Sequence, residues 1–103
     1  MKQPDECANM TEIRAEIDAF DRQVIALLGQ RFKYVKAAAK FKTSTTSVKA
    51  PERFQAMLQH RKQWAEQEGL NGDVIAKLYE DLVNHFIAEE MKHWQNHSNS
   101  NDL

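Results

Sequence analysis

From Ile13 to Lys42 the chain places an apolar residue at every third or fourth position and contains almost nothing that breaks a helix. Ile13, Ile17, Phe20, Val24 and Leu27 follow one another at spacings of 4, 3, 4 and 3, which keeps them on one helical face. The pattern continues through Val35 and Ala38, with Gly29 as its one glycine and no proline. A helix over about residues 10–42 would be ~45 Å long at 1.5 Å per residue, whereas a 100-residue domain has a radius of gyration of ~13 Å. Such a rod overhangs any core its own chain can build. Its apolar stripe needs cover, and the simplest source is a second copy of the chain packed about a twofold axis.

The remainder reads as two shorter helices. Asn9, with Glu12 three residues on, makes a capping box for the first helix, and Thr11 is a rival cap. KTSTTSVKAP is rich in Ser, Thr and β-branched residues and reads as a mobile loop over 43–50. Pro51 suits the first turn of a second helix over about 51–68, with Phe54, Met57, Leu58, Arg61 and Trp64 on one face and Gly69 just past its end. Asn71 or Asp73 then caps a third helix over about 72–96, whose apolar surface is Val74, Ile75, Leu78, Leu82, Val83, Phe86, Ile87, Met91 and Trp94. The tail NHSNSNDL, from Asn96 on, has nothing to bury and reads as frayed. The expected fold is therefore all-α: one three-helix domain over residues 1–103 with a long N-terminal helix, working as an intertwined homodimer.

Composition narrows the function classes. With 42% hydrophobic and 28% charged residues, 3 Gly and 2 Pro, the chain is a folded, helix-rich protein rather than a disordered one. No apolar run approaches the ~20 residues that span a bilayer, and MKQPDECANM has no signal-peptide core, so no membrane and a cytoplasmic setting are expected. Cys7 is the single cysteine; it cannot form an intrachain disulfide and reads as a surface thiol rather than a nucleophile. A formal charge of -1 argues against a nucleic-acid binder. Yet no acid occurs between Asp21 and Glu52, while Arg22, Arg31, Lys33, Lys36, Lys40, Lys42 and Lys49 fall in that window. The expected ligand is an anion.

Four residues stand out within this frame. On a continuous helix Lys42 lies within roughly 20° of Arg31 and about 16 Å from it. Arg31 follows the apolar stripe, where a partly enclosed guanidinium needs a partner, either an acid from another helix or a bound carboxylate. Its planar fork matches carboxylate oxygens. Arg14 is about 25 Å from Arg31 along the helix; it reads either as a solvated first-turn residue or, in an antiparallel dimer, as a contribution to the partner's site. Glu90 shares the apolar side of Val83 and Trp94. Enclosure there would raise its carboxyl pKa, while a nearby cation would lower it or form a plain interhelical salt bridge.

Other signals do not assemble into a site. Glu89, His93 and His97 form a row at i, i+4 and i+8 that reads as a solvated face rather than a metal site. His60 and His85 have no paired nucleophile, and no phosphate loop, hydrolase triad or zinc pattern is present in the sequence.

The segments IRAEIDAFDRQVIALLGQRFKYVKAAAKFK, APER and IAEEMKHW together resemble the all-helical (AroQ-type) chorismate mutase family. Within it they are most similar to the isochorismate-pyruvate lyase branch that makes salicylate for siderophores. The I-R-x-x-I-D-x-x-D opening and the R-x(10)-K spacing carry the likeness, which extends over nearly the whole chain.

The resemblance implies three-helix chains whose long first helices cross in a homodimer, with two pockets built from both subunits and no metal or organic cofactor. It gives Arg14 a substrate carboxylate in the partner subunit's pocket and Arg31 a carboxylate in its own. Lys42 becomes the lysine that closes over a small dicarboxylate substrate near the breaking ether bond, with the following loop as a lid. Arg53 is a further cation, and Glu90 the group that reaches the ether oxygen. Lyases of this branch carry glutamine at the position of Glu90. Mutases commonly carry acids at the positions of Ala50 and Phe54, neither of which accepts a side-chain hydrogen bond here.

The expected activity is therefore conversion of isochorismate to salicylate and pyruvate by a cofactor-free pericyclic elimination, with weaker chorismate mutase activity beside it. A chorismate mutase forming prephenate, and a non-catalytic helical dimer that binds a metabolite or protein, are the alternatives.

Overall fold

A computed structural model describes the backbone of residues 2–101 and the side chains of residues 2–96. Among the described residues there is no strand. Four α-helices follow in order, α1 Met10–Ala38, α2 Thr45–Lys49, α3 Pro51–Gln67 and α4 Gly72–Asn101, with 3-10 turns at Pro4–Glu6 and Ala39–Phe41. No described helix is long and apolar enough to cross a membrane. The chain divides into two compact units, Met1–Tyr34 and Val35–Leu103.

The first unit is built around the start of α1. Asn9 caps it as the sequence implies, its Oδ1 accepting the Glu12 N–H at 3.0 Å. The reciprocal half of the box is displaced by one residue, because Glu12 Oε2 accepts from the Ala8 N–H at 2.6 Å rather than from Asn9. Lys2 reaches the other Glu12 oxygen at 2.7 Å. The Ala8 hydrogen bond, with that of Lys2, holds the Glu12 carboxyl below its ordinary range. Along the 29 residues of α1 none is buried. Phe20, Val24 and Leu27 of the apolar stripe are 53%, 52% and 62% exposed.

In the second unit, α3 packs against α4, and α2 and the Ala39–Phe41 turn pack on α4 as well. Ala39, Val48, Met57, Ala65, Val83 and Phe86 form its buried apolar set. Trp64 stays more than half exposed, with the Arg61 guanidinium 4.6 Å from its ring centre and 5.7 Å from that of Tyr79. The charged head on the apolar face of α3 is thereby accommodated by cation–π contact.

Two expectations for this region need correction. The α-helix ends at Ala38 and tightens into a 3-10 turn, so Lys42 is a cap residue with extended backbone (φ -90°, ψ 139°). A 3-10 turn advances 3.0 residues per turn instead of 3.6, so the register that aligned Lys42 with Arg31 does not run through to it. Residues 43–50, expected as a loop, contain α2. Ser44 Oγ accepts the Ser47 N–H at 3.1 Å, and Ser47 Oγ accepts the Ser44 N–H at 3.0 Å. This reciprocal cap, with Val48 2% exposed, outweighs the low helix propensity of the segment. Ala50 ends α2 in the left-handed region with φ 41° and ψ 61°, its N–H donating to Thr46 O at 2.8 Å as in other left-handed helix ends.

The connection from α3 to α4 follows its sequence signals. Gly69 has φ 78°; its N–H donates to Glu66 O at 3.1 Å, and the Leu70 N–H donates to Ala65 O at 2.8 Å, a Schellman termination. Of the two caps proposed for α4, Asn71 is the one used, its Oδ1 accepting from Val74 at 3.0 Å. Asp73 instead pairs with Lys62 at 2.9 Å. Helix α4 continues to Asn101, so the tail from Asn96 that was expected to fray is helical up to that residue; its last two positions, 102–103, lie outside the described residues.

Gly72 sets how closely α4 begins against α3. A Cβ at this position would lie 2.6 Å from Lys62 Cγ and 3.0 Å from Lys62 O, and backbone cannot yield as a side-chain tip does. Gly72→Ala is expected to lower stability by about 1–3 kcal/mol, measured by urea unfolding, even though alanine is the better helix former; unchanged stability would show that the α3–α4 approach is not tight there.

Candidate active site

The charged residues singled out in the sequence fall on both units. In the first, Arg14 is exposed on the opening turns of α1, and Arg31 is half-buried near the end of the unit. In the second are Lys42, Arg53 and Glu90. Arg53 is exposed in the first turn of α3.

Lys42 and Glu90 are brought together. Helix α4 turns Glu90 inward on the face that carries Val83 and Phe86, leaving it only 5% exposed. Its Oε1 has no hydrogen-bond partner, and among the described residues no ion pair reaches it. Burial pushes the Glu90 carboxyl above its ordinary range, while the positive charge of Lys42 pulls the other way and does not prevail. The alternatives left open by the sequence are thereby separated: enclosure governs Glu90, and a salt bridge does not.

The Lys42 ammonium is instead held by backbone. Its Nζ donates to Ser47 O at 3.0 Å, so the side chain folds over the start of α2. Its own N–H donates to Ala39 O at 3.1 Å, closing the 3-10 turn. Its carbonyl accepts the Trp94 indole N–H at 3.0 Å. Lys42 is thus tied at side chain, amide and carbonyl to three different segments of the second unit.

The second unit also holds an open groove of about 300 Å³ lined by Lys49, Pro51, Phe54, Gln55, Asn84 and Ile87, with neither Lys42 nor Glu90 among the lining residues. Its wall is largely apolar, with Lys49 as its cation. An apolar groove with few polar groups suits a small organic anion.

Ser47 and Trp94 were not legible as site residues. The S-x-x-S spacing of Ser44 and Ser47 was a signal for a capped turn that would draw Ser47 O towards the end of α1. Trp94 was read as apolar surface, although an enclosed indole N–H ordinarily finds an acceptor. The Glu89, His93, His97 row gathers no metal site among the described residues. Glu89 Oε1 lies 3.5 Å from Lys92 Nζ, and the His97 side chain is outside the described residues.

An ammonium near an enclosed carboxyl can stabilise charge on a departing oxygen and present a proton to it. A protein named isochorismate pyruvate lyase from Pseudomonas aeruginosa is 41% identical over 95 residues, which is 92% of this chain and 94% of that protein. The T-protein of Haemophilus influenzae is 37% identical over 81 residues, 78% of this chain and 20% of its own length. Residues 13–91 match the description chorismate mutase type II, and the chain belongs to that family.

Proposed function

We propose that this protein is an isochorismate pyruvate lyase that converts isochorismate to salicylate and pyruvate, with chorismate mutase activity at a lower rate. The observation that carries the reading is the near full-length likeness to a protein of that name. The chemistry at two positions supports it: Ala50 and Phe54 offer no side-chain acceptor for the ring hydroxyl that mutases of the family hold with acids, and Phe54 instead lines the apolar groove.

The enolpyruvyl ether bond breaks while a hydrogen passes from the ring to the methylene of the side chain. The ring becomes aromatic and the side chain leaves as pyruvate. Such a step needs a flexible dianion held in a reactive fold and charge stabilised on the ether oxygen. In this reading Arg31 grips one carboxylate, the partner subunit's Arg14 grips another, and Arg53 adds positive charge at the mouth. Lys42 moves from Ser47 O to the ether oxygen as the α2 segment closes over the substrate. Glu90 donates to the same oxygen in its protonated form, which burial favours.

The homodimer belongs to the same proposal. Residues 1–103 act as one catalytic domain completed by a second copy, and the support is the exposed stripe on α1. Ile17, Phe20, Val24 and Leu27 are all more than half exposed, a continuous apolar strip of the kind that marks an interface. Covering it with the first helix of another subunit would also carry that subunit's Arg14 to a shared pocket.

Four outcomes are expected. Lys42→Ala should cut the rate of salicylate formation by about 10²–10³-fold with the oligomeric state unchanged; normal turnover would refute its role. A protonated Glu90 is present below its raised pKa and lost above it, so wild-type activity should fall as pH rises through that value. Glu90→Gln should retain activity and extend it to higher pH, and a large loss at every pH would count against a donor role. If each pocket takes Arg31 from one subunit and Arg14 from the other, inactive Arg14→Ala and Arg31→Ala proteins refolded together in equal amounts should recover about a quarter of wild-type activity, from heterodimers with one intact pocket. No recovery would place both arginines in a pocket of one chain.

A further inference from the structure

We infer that Trp94 is a positioning residue for Lys42, holding the lysine in register for catalysis through the hydrogen bond from its indole N–H to the Lys42 carbonyl. The inference rests on the reading of Lys42 as catalytic and adds a residue to it.

The argument begins with where Lys42 stands. The regular i→i+4 bonding of α1 has ended at Ala38, and Lys42 follows the 3-10 turn with extended backbone. Its carbonyl therefore points out of the helical ladder and needs an acceptor's partner from elsewhere. Trp94 supplies it at 3.0 Å across 52 residues of sequence. The indole is half-buried on α4, and a Trp side chain has only two rotatable bonds, so its donor is placed with little freedom.

Trp94 lies one helical turn beyond Glu90 on the same face of α4. The helix thus presents two groups to one lysine: Glu90, whose carboxyl feels the Lys42 charge, and Trp94, which fixes the Lys42 main chain. The Lys42 ammonium meanwhile rests on Ser47 O, a contact that must break for it to reach a substrate. When that contact opens, the carbonyl bond to Trp94 still ties Lys42 to α4. Without it the Lys42 main chain would keep its N–H bond to Ala39 O but lose this tie to α4, and a displacement of about 1 Å at a reacting group can cost ~10²-fold in rate.

The test separates the indole N–H from the ring. Trp94→Phe keeps an aromatic ring without the donor, and 3-benzothienylalanine at position 94 keeps the full bicyclic shape with sulfur in place of N–H. Both are expected to lower kcat for salicylate formation by about 10–100-fold with KM changed by less than about threefold, and the benzothienyl protein should melt like wild type. In a Lys42→Ala background, followed at high enzyme concentration, Trp94→Phe should cost nothing further, because the two residues act as a unit. Full kcat in the benzothienyl protein, or an equal loss with and without Lys42, would overturn the inference while leaving the Lys42 reading intact. Normal turnover of Lys42→Ala alone would overturn that reading and this inference with it.

Discussion

A 29-residue helix in which no residue is buried sets the terms for everything else in this protein. Apolar surface left in water costs roughly 25 cal/mol per Å², and the stripe from Ile17 to Leu27 cannot be a neutral feature of an isolated chain. The sequence also keeps that helix unbroken where a turn would have let it fold back on its own chain. The second unit has a core of its own in Met57, Ala65, Val83 and Phe86; α1 has none. The length of α1 and the exposure of its stripe are what support the proposed second subunit.

Within the second unit the decisive constraint is the enclosure of one carboxyl. A buried carboxylate without partners is costly, and Lys42, whose charge Glu90 feels, donates to Ser47 O rather than to Glu90. The protein thus keeps an acid and a base-derived cation close without letting them neutralise each other. An ion pair would have stabilised the empty site and blunted both groups. In the proposed mechanism, groups held apart in this way would each remain available to an ether oxygen that accumulates negative charge only as its bond breaks.

Much of this was visible in the residues. The 3.6 periodicity, the Asn9 and Asn71 caps, Pro51 at a helix start and Gly69 past a helix end all act through local backbone chemistry, and the structure reproduces each. Glu90 was recognisable as an anomaly because its spacing from Val83 and Trp94 forced it onto an apolar face. What spacing could not decide was which influence on its pKa prevails, since that depends on where Lys42 Nζ finds its hydrogen bond. The segment 43–50 was misjudged for a related reason. Its Ser and Thr residues disfavour a helix on average, but two of them cap one reciprocally, and the burial of Val48 adds a tertiary contribution that no local propensity contains. The bond from Trp94 to Lys42 joins residues 52 apart, beyond the reach of any periodicity.

The identity of residue 90 bears on how much chemistry the protein must supply. A pericyclic elimination uses the substrate's own electrons, so the enzyme contributes conformation and electrostatics rather than a nucleophile. A glutamine at this position would donate at any pH. A glutamate donates only while protonated, and as a carboxylate it would oppose the charge developing on the ether oxygen. Replacing one by the other is therefore tolerable only in a setting that favours the neutral acid, and the 5% exposure of Glu90 provides that setting. In the proposed role of Glu90, the same burial that makes it look like a liability for folding is what would let it donate as an amide does.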